Sequence, residues 1–152
     1  MNVIARRSLI FGLPALGLAA AGGTYAYFWK PELPEGTTNL SVEDAYAAMR
    51  ADQIWLIDIR RPDEWERTGV AEGALLIDMR RDDFVDALAA ATAPDPDRPV
   101  AIVCARGVRS RRLTAALAEA GITNLIDLPE GMLGSQAGPG WIAAGLPVVT
   151  PS

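Results

Sequence analysis

The sequence contains no histidine, one cysteine and few aromatic residues. Without histidine there is no Ser-His-Asp triad, no Cys-His pair and no His-ligated metal. A single cysteine excludes an intrachain disulfide and a Cys-rich zinc or iron–sulfur centre. Positive charge is also short: 14 Lys and Arg stand against 19 Asp and Glu, a formal net charge of −5. That balance argues against nucleic-acid binding, which needs a basic face to release counterions. What is plentiful is apolar content, 50% of 152 residues. This is enough to fill the core of one domain of ordinary size. With one thiol and no imidazole, the chemistry left open is mostly thiolate chemistry at Cys104.

Residues 1–28 read as a separate object. They contain Arg6 and Arg7 and no acid, and Leu9 to Phe28 carries no charge. A basic start, an apolar stretch and small residues describe an export signal, with Ala19-Ala20-Ala21 as a cleavage site. Arg6-Arg7-Ser8-Leu9-Ile10 resembles a loose twin-arginine signal. An uncleaved membrane anchor over residues 9–28 is the alternative, with Tyr25, Tyr27, Phe28 and Trp29 at the interface. A buried helix is the third reading. Export with cleavage is preferred, and the expected location is periplasmic, soluble or tethered to the inner membrane. Without residues 1–28 the chain keeps 12 basic and 19 acidic residues, or −7.

Residues 29–39, with Pro31, Pro34 and Gly36, read as a linker, and residues 40–152 as the globular domain. Ser41 looks like an N-cap with Asp44 as its capping-box acid. The helix expected over Val42 to Arg50 turns Val42, Ala45, Tyr46 and Met49 inward. Trp55-Leu56-Ile57 reads as a buried strand ending at Asp58, and Pro62 opens a short helix. Gly69 to Gly73 reads as a turn and Ala74 to Ile77 as the next apolar run. A helix is expected from about Arg81 to Ala91 with Phe84, Val85, Leu88 and Ala89 inward. Val100 to Val103 is the clearest strand. A helix from Ser110 to Ala120 follows, with Leu113, Ala116, Leu117 and Ala120 on one face, then a strand over Asn124 to Leu128. Trp55 and Trp65 are taken as core residues. Apolar strands alternating with amphipathic helices predict an α/β fold, a central parallel sheet with helices on both faces.

In such a fold ligands bind at the carboxyl ends of strands, beside helix N-termini. Cys104 ends the Val100 to Val103 strand. The loop after it contains Gly107, which lets the backbone turn and aim several N–H groups inward, and the helix follows. A loop nest and a helix dipole stabilise an anion. The Cys104 thiolate is itself such an anion, and Arg106 and Arg109 add positive charge at the mouth. A lone cysteine at a strand end is more often a small buried hydrophobe. Three features favour the reactive reading: its place at the strand end, the loop and the helix start.

Leu56-Ile57-Asp58-Ile59-Arg60, Glu64-Trp65, Gly69 and Gly73-Ala74 resemble the first half of the rhodanese pattern. Cys104-Ala105-Arg106-Gly107-Val108-Arg109-Ser110 resembles its active-site loop, C-x-x-G-x-R-S. Leu128-Pro129-Glu130-Gly131-Met132, Trp141, Gly145 and Leu146-Pro147-Val148 resemble its closing segment. The resemblance covers roughly Leu40 to Val149. It implies a three-layer fold and a sulfurtransferase needing no metal or cofactor. Cys104 would carry sulfur as a persulfide from a small donor such as thiosulfate to a thiol or cyanide. Ala105, Arg106, Gly107, Val108 and Arg109 would cradle the outer sulfur. Asp58, Arg60, Glu64 and Ser110 would be structural support. Arg109 either touches substrate or pairs with Glu64 or Asp58.

Two departures stand out. Gly69-Val70 replaces a frequent Gly-His, and residues 131–140 form a longer Gly-rich path, expected to be a mobile flap. The related phosphatases place Arg after five residues, where this chain has Ser110. Arg109 comes after four, a tighter loop suited to one sulfur atom rather than phosphate. Two rivals remain: a rhodanese-like binding module without catalysis, and a persulfide carrier that needs a protein partner.

Overall fold

The computed structural model of the chain describes residues 32–151. The segment read as an export signal or anchor lies outside the described residues. Among the described residues no helix is long and apolar enough to cross a membrane.

Five strands form the main sheet: β1 (Thr38–Asn39), β2 (Trp55–Asp58), β4 (Leu75–Leu76), β5 (Val100–Val103) and β6 (Leu125–Asp127). Their order is β1-β6-β5-β2-β4 and every pairing is parallel. A central parallel strand is buried on both faces, which is why β2 and β5 are almost unbroken apolar runs. Alternate side chains serve opposite layers. Leu56, Ala101 and Val103 pack with Val42 and Ala45 of α1 (Val42–Arg50) and with Trp141 of α5 (Gly140–Ala143). Ile57 and Ile102 pack with Phe84 and Leu88 of α3 (Phe84–Thr92) and Leu117 of α4 (Val108–Glu119). Cys104 belongs to this second layer.

The first helix forms as expected. Ser41 Oγ accepts from Asp44 N–H at 3.1 Å and donates to the Asp44 carboxylate at 2.8 Å. Pro62 opens α2 (Pro62–Thr68), where Glu64 accepts from the Arg61 N–H at 3.1 Å.

Several boundaries differ from the sequence reading. Thr38 and Asn39, placed in the linker, form β1 on the β6 edge. Val70–Ala71, read as turn, is β3, antiparallel to β7 (Val148–Val149). Both are two-residue strands set by distant partners, which local patterning does not register. The third helix begins at Phe84 rather than Arg81, and its buried stripe is Phe84, Leu88 and Thr92. Val85 is 51% exposed, and Ala89 is exposed too. Helix α4 starts at Val108, directly after Gly107, and buries Ser110, Thr114 and Leu117, leaving Ala116 and Ala120 outside. Ser110, Thr114 and Ala115 fill that face where Ala116 and Ala120 were expected. Trp55 and Trp65 are partly buried, and Trp55 packs against the second core layer. The Trp55 ring lies 4.3 Å beneath the Arg98 guanidinium and its indole N–H donates to the Asp95 carbonyl at 3.0 Å.

At the carboxyl end of β2 a buried ion pair holds two elements together. Asp58 and Arg60 have no exposed side-chain surface and meet at 2.6 Å. Arg60 also donates to Thr68 Oγ1 at 2.7 Å and to the Gly69 carbonyl at 2.8 Å. Removing one member leaves the other charge buried and unpaired. Arg60→Met is therefore expected to cost roughly 3–5 kcal/mol in urea unfolding. A loss below about 1 kcal/mol would contradict a buried role.

Candidate active site

The site is assembled where β5 ends and α4 begins. Cys104 is only 1% exposed and forms the floor of a pocket of about 520 Å³. Ala105, Arg106, Val108 and Arg109 wall it from the loop, Arg112 from the next turn of α4, and Glu64 and Leu133 from neighbouring segments. Of the residues expected at the site, six therefore reach one cavity: Cys104, Ala105, Arg106, Val108, Arg109 and Glu64. Gly107 is buried behind the wall. Asp58 and Arg60 stay in the buried pair below.

The chain turns sharply because of Gly107, whose φ is +75°. A Cβ there would overlap the Pro129 carbonyl oxygen. Gly107 is the N-cap of α4, so the helix starts at the loop's own edge. Within the described residues no backbone carbonyl takes the N–H of Ala105, Arg106, Gly107, Val108 or Arg109. Five consecutive free donors beside a helix N-terminus are an anion-binding nest. Ser110 is fully buried, and its hydroxyl lies 3.6 Å from Cys104 Sγ.

Arg109 makes a forked ion pair with Glu64, at 2.6 and 2.8 Å. Of the two acids the sequence offered, Arg109 takes Glu64, while Asp58 is taken by Arg60. The Arg109 hydrogen bonds are the main reason the Glu64 carboxyl sits at about 2 rather than 4.5. Reciprocally, Arg109 is held above its ordinary value, chiefly by Glu64 and further by the charges of Cys104 and Asp58. A carboxyl lowered by folding adds stability above its unfolded value, and that contribution fades as pH falls through the folded one. The stability gap between wild type and Glu64→Gln should thus be constant above about pH 4.5 and close towards about pH 2. Unfolding curves across that range check it. A gap independent of pH would contradict the pairing.

Residues 131–140 are not a flap. Met132 N–H donates to the Cys104 carbonyl and Leu133 N–H to the Ala105 carbonyl, both at 2.8 Å. Arg106 reaches the Gly134 carbonyl at 3.3 Å. Gly131 lies so close to the Ala105 carbonyl that a Cβ would come within 2.5 Å. Glu130, 5% exposed, accepts from the N–H groups of Val42 and Gly140, each at 3.1 Å. The segment is the outer wall of the cradle. Leu133, 39% exposed, stands at the pocket's lip.

Sequence reasoning missed Arg112, Leu133 and Glu130. For Arg112 a signal existed: Arg106, Arg109 and Arg112 recur every three residues across a helix start. For Leu133 and Glu130 there was none, because their roles depend on contacts with Ala105 and Val42 far along the chain.

Comparison with known proteins adds to this geometry. The model of the rhodanese-like domain matches residues 41–137. The chain belongs to the rhodanese-like family. It is similar to the thiosulfate sulfurtransferase GlpE of Actinobacillus succinogenes, 30% identical over 114 residues, covering 74% of this chain and 91% of the relative. Among solved structures it resembles the polysulfide-sulfur transferase homodimer of Wolinella succinogenes. There the identity is 29%, the TM-score 0.57, and the coverage 77% of this chain and 81% of that one. A rhodanese-related protein from Thermoplasma volcanium shares the fold at 24% identity and TM-score 0.55, with 75% and 99% covered. The α/β rhodanese fold and a place among the sulfurtransferases follow at family level.

Proposed function

We propose that this rhodanese-like protein is a working sulfurtransferase that moves sulfane sulfur through a persulfide on Cys104. The observation carrying the reading is a cysteine in a pocket walled by a loop whose five consecutive backbone N–H groups no backbone carbonyl takes. No imidazole is needed. The thiol proton goes to solvent, and the nest and helix N-terminus hold the resulting thiolate. The thiolate attacks the outer sulfur of thiosulfate. A new S–S bond forms at Cys104, the donor's S–S bond breaks, and sulfite leaves with the electron pair. The persulfide keeps one negative charge, placed for the same N–H groups to hold. Cyanide or a thiolate then attacks the outer sulfur, leaving the Cys104 thiolate as it was.

With one cysteine in the sequence, there is no resolving thiol, so the acceptor comes from outside. The pairing of Arg109 with Glu64 supports a positioning role for Arg109 at the loop. A short loop, with Arg109 after four residues rather than five, supports sulfur over phosphate.

Residues 1–28 support export to the periplasm, with the product either released or tethered. Because β1 runs parallel to β6, the chain enters the sheet at the end opposite Cys104. A tether would then leave the pocket facing away from its attachment point. Fractionation with N-terminal sequencing of the mature protein tests this.

The functional test is thiocyanate formation from thiosulfate and cyanide by the full chain. Cysteine-dependent turnover is expected. Folded protein that neither turns over nor gains sulfur would instead be a binding module. Gain of sulfur without turnover would mark a carrier that needs its partner.

A further inference from the structure

At the end of the sheet opposite Cys104 lies a second opening that sulfur chemistry does not use. It is a groove of about 360 Å³ between α3, the start of β5 and the turn that leads into β6. Its lining is mostly apolar: Val85, Leu88 and Ala89 from α3, Pro96 from the loop after it, Val100 from β5, and Ile122 before β6. Val85 is 51% exposed, the most exposed large apolar side chain among the described residues. Acids flank this lining. Asp86 and Asp97, both exposed, stand next in sequence to Val85 and Pro96. Asn124 closes the rim by donating to the Asp97 carbonyl at 3.4 Å. An apolar floor with a polar rim suits amphipathic rings, whose body is buried while the O–H or N–H finds a partner.

The chain upstream of β1 has that composition and lies within reach. Tyr25, Tyr27, Phe28 and Trp29 crowd into five positions, and Lys30, the one lysine of the sequence, follows them. β1 starts at the groove's end of the sheet, because Thr38 stands beside Ile126, which stands beside Ala101. Two strand spacings put β1 about 10 Å from β5. A turn closed by the Thr37 N–H on the Pro34 carbonyl, at 3.2 Å, precedes β1. The chain from Pro34 back to Trp29 spans up to about 17 Å when extended. We propose that the segment Tyr25–Trp29 seats in this groove, its rings over Val85, Ala89 and Ile122 and Lys30 beside Asp97. Each ring buried there removes roughly 150–250 Å² from water, and the lysine meets a rim of opposite sign. The proposal stands apart from the sulfur-transfer reading. It holds whether the chain is cut after Ala21 or kept whole, since Tyr25 to Lys30 lie downstream of that point.

The test uses the full chain with vesicles of phosphatidylethanolamine and phosphatidylglycerol. Benzoylphenylalanine is placed at position 28, irradiated, and its adducts are mapped by peptide mass spectrometry. The expected adduct joins position 28 to residues 85–100 or 122–124 of the same molecule. Carbodiimide should likewise join Lys30 to Asp86 or Asp97. Amide exchange at Thr123 and Asn124 is the second measurement. Phe28→Ser combined with Trp29→Ser should speed it about tenfold by uncovering the groove. Val85→Asp, at an exposed position far from Cys104, should speed it similarly and abolish both cross-links while sulfur transfer is unchanged. Adducts to lipid alone would put the rings at the membrane surface. Adducts between two molecules, growing with protein concentration, would make the occupant a second copy. Exchange that neither variant alters would mean that nothing covers the groove. Each of these three results overturns the proposal, whatever the sulfur-transfer assay gives.

Discussion

Cys104→Ala should lower sulfur transfer by about 10³-fold or more, because no other group in the chain can carry the sulfur. Its effect on folding should be small. Cys104 is buried and packs beside Ile102, but alanine keeps the apolar character of the site and removes one atom. Cys104→Ser separates nucleophilicity from hydrogen bonding. The serine hydroxyl can still meet Ser110, yet it is a poor nucleophile without a base, so this variant should be as inactive as Cys104→Ala. Steady-state assays and thermal unfolding on all three proteins check both halves. Substantial turnover in either variant would remove Cys104 from the mechanism. A large stability loss in Cys104→Ala would mean the residue serves mainly as core.

Gly107→Ala carries the second large effect, this time on structure and activity together. At φ +75° any side chain is strained, and here the new Cβ meets the backbone of Pro129, which no rotamer change can clear. Left-handed strain alone costs about 1–3 kcal/mol, and the overlap adds to it. Expected results are a destabilisation of roughly 3 kcal/mol and a loss of the cradle even in the molecules that fold. Alkylation separates the two consequences. Under conditions where Gly107→Ala remains folded, Cys104 should react with iodoacetamide at a different rate from wild type, since the loop above it has moved. Wild-type stability and transfer rate in this variant would show that the loop does not depend on the turn.

Much of this architecture was legible in the sequence, and the reasons are physical. Val100 to Val103 is an apolar run, so its being a buried strand and the placement of Cys104 at its end were readable from the sequence. Ser41, Asp44 and Pro62 announce helix starts through local hydrogen bonding and fixed φ. Other features were hidden because their causes are distant. β1 exists only because β6 offers an edge, and β3 only because Val148–Val149 returns to it. Residues 131–140 look loose in sequence because glycine permits many conformations. Here glycine instead permits close approach to Ala105, and the segment is stitched to the loop by Met132, Leu133 and Arg106. The pairing of Arg109 with Glu64 spans 45 positions, so spacing suggested the partner but could not choose between it and Asp58. Val85 and Ala89 went to the wrong side because the core covers only the stripe of Phe84, Leu88 and Thr92, narrower than the face their spacing suggested.

The central claim is that Cys104 holds the travelling sulfur. It is tested most directly by the intact mass of the full-length protein after brief exposure to thiosulfate. Wild type should gain the mass of one sulfur atom and lose it again on adding cyanide, with thiocyanate appearing in equal amount. Cys104→Ala should gain nothing. A folded wild type that gains no sulfur, or a Cys104→Ala variant that gains as much as wild type, would contradict the account.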